Sequence, residues 1–221
     1  MIDRQQRARI ETASGTVRAP TDGSASAQRS LVYYNIFTYR LVMQVLYRGT
    51  YRTRFRRIIN VMGRDVRSVC DLCFGDTYIA QWCRTHGVQW TGVEINHYFC
   101  ERARRQGFTV REGDLFAIDL PHVDVVVMAA ALYHFHNDLS ALFDRVFSRS
   151  PRFIISEPVR NVSRGRLGAW AKYVANPGTG DATFRYDEDS LRAALQAQQA
   201  RTGCQFRVVS THRDMLIEVR R

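Results

Sequence analysis

Val66-Arg67-Ser68-Val69-Cys70-Asp71-Leu72-Cys73-Phe74-Gly75-Asp76-Thr77 is the stretch that decides the fold. Val66–Leu72 reads as a short apolar strand, and Thr77–His86 as a helix that Gly87 ends. The alternation then repeats. Val88–Ile95 reads as a strand, Phe99–Gln106 as a helix stopped by Gly107, and Thr109–Glu112 as a short strand. Val123–Met128 is the most continuous apolar strand, Leu139–Arg149 a helix, and Phe153–Ser156 a further strand. Strands that alternate with helices imply parallel pairing through right-handed crossovers, with helices on both faces. Past Pro158 the pattern loosens into a turn-rich stretch, Asn161–Thr183, before the helix Asp187–Ala200 with Asp187 as its cap. Phe206–Ser210 and Met215–Val219 are separated only by Thr211–Asp214, and so short a link demands an antiparallel hairpin. The expected fold class is α/β: a doubly wound, mostly parallel seven-stranded sheet closed by a C-terminal antiparallel hairpin.

Upstream, residues 1–30 are polar and Arg-rich with few large apolar groups, which predicts a disordered tail. Residues 31–62 read as an N-terminal helical cap. Leu31, Tyr34, Ile36, Tyr39, Leu41, Val42, Val45 and Leu46 mark one helix, and Tyr51, Phe55, Ile58 and Ile59 a second. The run Leu31–Tyr47 is broken by Asn35 and Arg40, so it reads as a buried helix rather than a membrane span. Residues 63–221 then form the sheet domain.

The chain has 221 residues and a formal net charge of +11. That charge is concentrated: residues 1–60 hold eleven Arg against three Asp or Glu, whereas the rest holds 21 basic and 18 acidic residues. Such a skew attracts nucleic acid, an anionic membrane or an anionic substrate. However, Lys172 is the only lysine, a bias that points to coding habit rather than to phosphate contacts, and a nucleic-acid partner is not expected. The five cysteines are an odd number with no secretory segment before them, so free thiols and a cytoplasmic location are expected. Cys70 and Cys73 form a Cys-x-x-Cys pair. Strand positions i and i+3 face opposite ways and no second pair completes a tetrahedral set, so the reading is one core cysteine and one small loop residue, with no metal.

Ligands of doubly wound sheets bind at the carboxyl ends of the strands, beside the switch point in strand order. The loop after the first strand must let backbone approach a ligand. Glu94 ends the second strand, where a carboxylate can accept bonds from both hydroxyls of a ribose. Asp114 follows the third strand in Gly113-Asp114-Leu115, placed for an exocyclic amine.

This ordered set resembles the class I S-adenosylmethionine-dependent methyltransferases over about Val66 to Pro158. The resemblance implies that Asp71 opens the cofactor loop and Gly75 is its central glycine. It further implies that Glu94 holds the ribose, that Ile95 packs on the adenine, and that Asp114 with Leu115 meets its other edge. The first and third glycines of the family loop are here Cys73 and Thr77. Both are small, and they preserve the backbone nest if their φ angles stay negative.

The fourth strand runs into Ala129-Ala130-Ala131-Leu132-Tyr133-His134, which borders the reactive end of such a cofactor. His134 is the candidate base and Tyr133 the candidate for orienting an acceptor, with helix packing the competing role for His134 and more so for His136. Glu157 either anchors an ammonium-bearing substrate or pairs with Arg160 or Arg185. Tyr33, Tyr34, Tyr39 and Arg40 of the cap are candidates for closing over the cofactor, with an arginine on its carboxylate. The expected function is methyl transfer from S-adenosylmethionine to a small molecule, on O or N, by a monomer or homodimer. Two alternatives stand beside it: transfer of the aminocarboxypropyl group or internal cyclisation, and a basic RNA- or membrane-surface-binding protein on the same scaffold.

Overall fold

The computed structural model describes residues 35–160, apart from Arg48, and 184–221. The expected tail, Tyr33, Tyr34 and the turn-rich stretch 161–183 lie outside the described residues.

Helices α1 (Ile36–Leu46) and α2 (Tyr51–Met62) precede strand β1 (Ser68–Leu72). Then come α3 (Tyr78–Thr85), β2 (Gln89–Glu94), α4 (His97–Arg105), β3 (Thr109–Glu112) and β4 (Val125–Ala129). A single 3₁₀ turn (Leu132–Phe135) leads to α5 (Leu139–Phe147), β5 (Arg152–Pro158), α6 (Glu188–Thr202), β6 (Gln205–Thr211) and β7 (Asp214–Arg220). The sheet has seven strands in the order β3-β2-β1-β4-β5-β7-β6. β1 to β5 are parallel, while β7 runs antiparallel to both β5 and β6. The order reverses between β1 and β4, which puts the crevice for a ligand over the tips of those two strands.

Alternation along the central strands sends side chains to both faces. Val69, Val125, Val127, Ile154 and Leu216 pack against α2 and α3. Cys70, Leu72, Val126, Met128, Phe153 and Ile155 pack against α5 and α6. With both faces covered, β4 is apolar throughout, as buried parallel strands are. Asp124 at its foot accepts the Arg67 and Ser68 N–H groups and so fixes β4 beside β1. Asp187 and Ser190 close a reciprocal capping box at the start of α6.

The cap departs from expectation in one respect. α2 buries Tyr51, Phe55, Ile58 and Met62 on the sheet. α1 turns Ile36, Tyr39 and Met43 to the body, but Phe37, Leu41 and Val45 point outward and are 77, 66 and 65% exposed. α1 is therefore no fully buried helix: it is apolar on both sides, and among the described residues only one side is packed against the body. Among the described residues, no helix is long and apolar enough to cross a membrane.

Candidate functional site

At the tip of β1 the Cys73 N–H still donates to the Val93 carbonyl of the neighbouring strand at 2.7 Å, the last bond of that ladder. The chain turns at Cys73 itself, which takes φ +54°, the left-handed region, whereas Thr77 keeps φ −89° and leads into α3. The condition of a negative φ is met at Thr77 and not at Cys73, which takes up a glycine-like backbone with a side chain attached. A non-glycine residue there costs about 1–2 kcal/mol. Cys73→Gly is expected to raise stability by about 1 kcal/mol after the glycine's own unfolded-state entropy, which is two to four degrees in the melting temperature. A lower melting temperature would show that the thiol's packing outweighs the strain.

The Phe74 ring does not stand over the strand tips. It is buried beneath the loop, edge-on to Trp90 at 5.2 Å between centroids. Gly92 makes the room: a Cβ there would lie 2.2 Å from Trp90 Cη2 and 2.6 Å from Phe74 Cδ1. Asp71 faces the same interior, where Trp90 Nε1 donates to it at 3.4 Å. Burial pushes its carboxyl up to about 8.

Glu94 ties the second strand to the loop. Its Oε1 accepts the N–H groups of Ile95 and Asn96, each at 2.9 Å, and its Oε2 accepts Gly75 N–H at 3.3 Å. Burial pushes its carboxyl above the usual range, against the pull of those three donors. Gly75 itself has φ +52° and lies under the Tyr39 hydroxyl of α1. Ile95 is 51% exposed. Beside it, Gly113 N–H donates to Glu94 O, and Asp114 Oδ1 accepts Phe116 N–H at 2.8 Å. Leu115 is buried in the core, so Phe116, edge-on to Phe135, is the apolar side chain exposed at this corner.

The loop's acidic residue has a partner that sequence alone assigned elsewhere. Arg40 of α1 donates through Nε to Asp76 Oδ2 and through Nη2 to Asp76 Oδ1, both at 2.8 Å, with Arg102 at 3.8 Å. Arg40, expected to meet a cofactor carboxylate, meets a buried carboxylate of the protein. α1 is therefore clamped onto the loop in a two-pronged geometry.

At the exit of β4, Ala129 is followed by Ala130 at φ +56°. The Ala130 N–H donates to Ser156 O, and the Leu132 N–H donates to Glu157 Oε2 at 3.0 Å. The tip of β5 thus holds the β4 exit in a strained turn. Glu157 is fully buried, and its Oε1 has no hydrogen-bond partner among the described residues. Burial pushes it up to about 8. Arg185 stacks on the Tyr133 ring at 3.8 Å, and Arg160 is exposed. His134 lies against Tyr133, while His136 stacks on Phe184 and meets Tyr133 O through Nδ1. On the opposite face, buried Arg54 pairs with Asp214 at 2.6 Å, joining α2 to β7.

The structure therefore gathers Asp71, Cys73, Gly75, Glu94, Ile95, Asp114 and Ala129 along the tips of β1 to β4, and Tyr133, His134 and Glu157 beside them. Tyr34 lies outside the described residues. Sequence reading missed Asp76 and Phe116; an acid inside a glycine loop and an aromatic two residues past Asp114 were the available signals.

A family model described as a methyltransferase domain matches residues 47–202. No curated protein matches the chain. Among solved structures, the methyltransferase domain of bacterial CtHen1 superposes with a TM-score of 0.59 at 14% identity, covering 77% of this chain and 98% of that one. An S-adenosylmethionine-dependent methyltransferase from Archaeoglobus fulgidus gives 0.57 at 15%, covering 83% and 99%. Magnesium protoporphyrin IX methyltransferase from Synechocystis PCC 6803, solved with bound S-adenosylhomocysteine, gives 0.54 at 16%, covering 85% and 88%. At these identities the structures share the fold, and the family match spans well over half the chain. With the 3-2-1-4-5-7-6 sheet in place, the chain belongs to the methyltransferase-domain family, the S-adenosylmethionine-dependent enzymes of class I.

Proposed function

We propose that this protein transfers a methyl group from S-adenosylmethionine to an oxygen or nitrogen of a small molecule. The observation that carries the proposal is Glu94: a buried carboxylate at the β2 tip, bonded to the loop N–H of Gly75 and flanked by the half-exposed Ile95. The residues present fit the cofactor. Glu94 would take the ribose hydroxyls, Ile95 and Phe116 the adenine faces, and Asp114 its amine, with Leu115 backing them from the core. The backbone of Cys73 and Gly75, above Asp71 and next to Ala129, would carry the amino-acid tail. The cofactor supplies the electrophilic methyl group, and the protein supplies position and a low-dielectric surround.

On the acceptor side, Tyr133 and His134 follow the β4 tip, and His134 is the candidate base. Glu157 is fully buried behind them, where it accepts the Leu132 N–H and supports the turn rather than meeting the acceptor. Magnesium protoporphyrin IX methyltransferase, similar in fold, is one relative named for a small-molecule substrate.

Calorimetry with S-adenosylmethionine and S-adenosylhomocysteine tests cofactor use, and both are expected to bind. Incubation with a panel of phenols, carboxylic acids and amines then tests the chemistry, with S-adenosylhomocysteine as the expected by-product. No heat from either nucleoside would sink the proposal, and methylthioadenosine as the by-product would move the chemistry to another carbon of the sulfonium.

A further inference from the structure

Six large apolar side chains are markedly exposed among the described residues, and three of them share one face of one helix. Phe37, Leu41 and Val45 follow each other at i, i+4 and i+8 along α1, which makes a continuous stripe. A stripe of this kind on a folded protein marks a surface that something else covers. The chemistry of its surroundings says what. From Asn35 to Arg64 the chain has no Asp or Glu, and it has seven arginines: 40, 48, 52, 54, 56, 57 and 64. Arg40 and Arg54 are consumed internally by Asp76 and Asp214. Arg52 and Arg56, one turn apart on α2, are exposed. Arg52 also lies close to α1, since it and Arg40 stand over the same Tyr78 ring at 5.6 and 5.0 Å.

We infer that the outer face of α1, together with the arginine face of α2, docks on an anionic lipid surface. Apolar side chains that enter the acyl boundary beside arginines that stay at the headgroups are how a helix lies in an interface without spanning it. A second copy of the chain fits less well, because neither helix has an acid to meet the arginines of a partner. A nucleic acid fits less well too, because the stripe has nothing to offer a phosphate. The helix that docks is the one clamped to the loop through Arg40 and Asp76, so the lipid surface lies next to the candidate cofactor site without being part of it.

The test is flotation of the full chain with phosphatidylcholine vesicles, with and without phosphatidylglycerol. Binding is expected only with phosphatidylglycerol and is expected to weaken as salt rises. Phe37→Ser/Leu41→Ser/Val45→Ser is expected to lower partitioning about tenfold or more, and Arg52→Gln/Arg56→Gln to lower it severalfold and flatten the salt dependence. All five positions are exposed, and Arg52 adds a single exposed hydrogen bond from Nε to the Tyr78 hydroxyl at 2.9 Å, so the melting temperatures should stay near that of the parent. Phe37→Trp gives a reading independent of the multiple variants, an emission that shifts to the blue on anionic vesicles. The inference fails if the parent does not float with anionic vesicles or if the serine variant floats equally well. It also fails if light scattering finds a dimer that the serine variant abolishes while lipid binding is absent. Equal retention of parent and serine variant on RNA would assign the charge to nucleic acid instead.

Discussion

Replacing Glu94 by alanine is expected to weaken S-adenosylmethionine binding about a hundredfold or more. A carboxylate that accepts from two ribose hydroxyls makes two charge-assisted bonds, each worth about 1.5–3 kcal/mol, and every 1.4 kcal/mol is a factor of ten in affinity. The same oxygens already accept the N–H groups of Gly75, Ile95 and Asn96, so alanine also strips three backbone donors of their partner. Part of the loss would then come through the loop rather than through the sugar. Glu94→Gln separates the two contributions. The amide oxygen can still accept the Ile95 and Asn96 N–H groups, but its NH2 then faces the Gly75 N–H and carries no charge, so only the weakest of the three loop bonds is lost while affinity falls about tenfold. Titration calorimetry gives the affinities, and the melting temperature without cofactor reports the loop. Unchanged affinity in Glu94→Ala would remove the ribose assignment and with it the reading of the crevice.

How far the sequence alone reached is clear from particular residues. β4 was legible because a strand buried on both faces is an unbroken apolar run, and α6 because Asp187 caps it visibly. Glu94 was legible because its place depends only on spacing along a βαβ unit. What was not legible depends on how separate elements meet. Arg40 reaches Asp76 because α1 lies across the loop, a contact between residues 36 apart that no local pattern encodes. The outward face of α1 was hidden for a related reason: where apolar residues surround a helix, periodicity does not say which of them the body covers. The φ of Cys73 belongs to the turn by which the chain leaves the sheet for α3, so its side-chain type carried no warning. Likewise, Leu115 and Phe116 are adjacent apolar residues, and only the turn made by Asp114 decides which one goes inside.

In the cofactor-free protein, stability is expected to fall as pH rises from about 6 to 8, by about ten degrees of melting temperature or more across that window. Two carboxyls carry most of the effect, and Glu94, also raised by burial, acts in the same sense. Asp71 and Glu157 are both fully buried, and both are held up at about 8 by loss of hydration. In the unfolded chain a carboxyl releases its proton near 4. Between these limits the native state therefore holds two protons that the unfolded state has lost. When the native state binds more protons, unfolding becomes easier with each rise in pH, by up to about 1.4 kcal/mol per unit per group. The slope should level off above about 8, once both groups have ionised in the native state as well. Carboxyls held below their usual range, such as Asp124 and Glu218, act in the opposite sense but only at acid pH, outside this window. Glu157→Gln is the decisive variant. Its amide oxygen can accept the Leu132 N–H as Glu157 does, yet it has no proton to lose, so the slope should drop by about half while the fold stands. Asp71→Asn should remove most of the remainder. Thermal unfolding of the parent and both variants across pH 5 to 9 checks this. A parent curve that is flat from 6 to 8, or one that Glu157→Gln leaves unaltered, would mean that Glu157 is ionised in the folded protein.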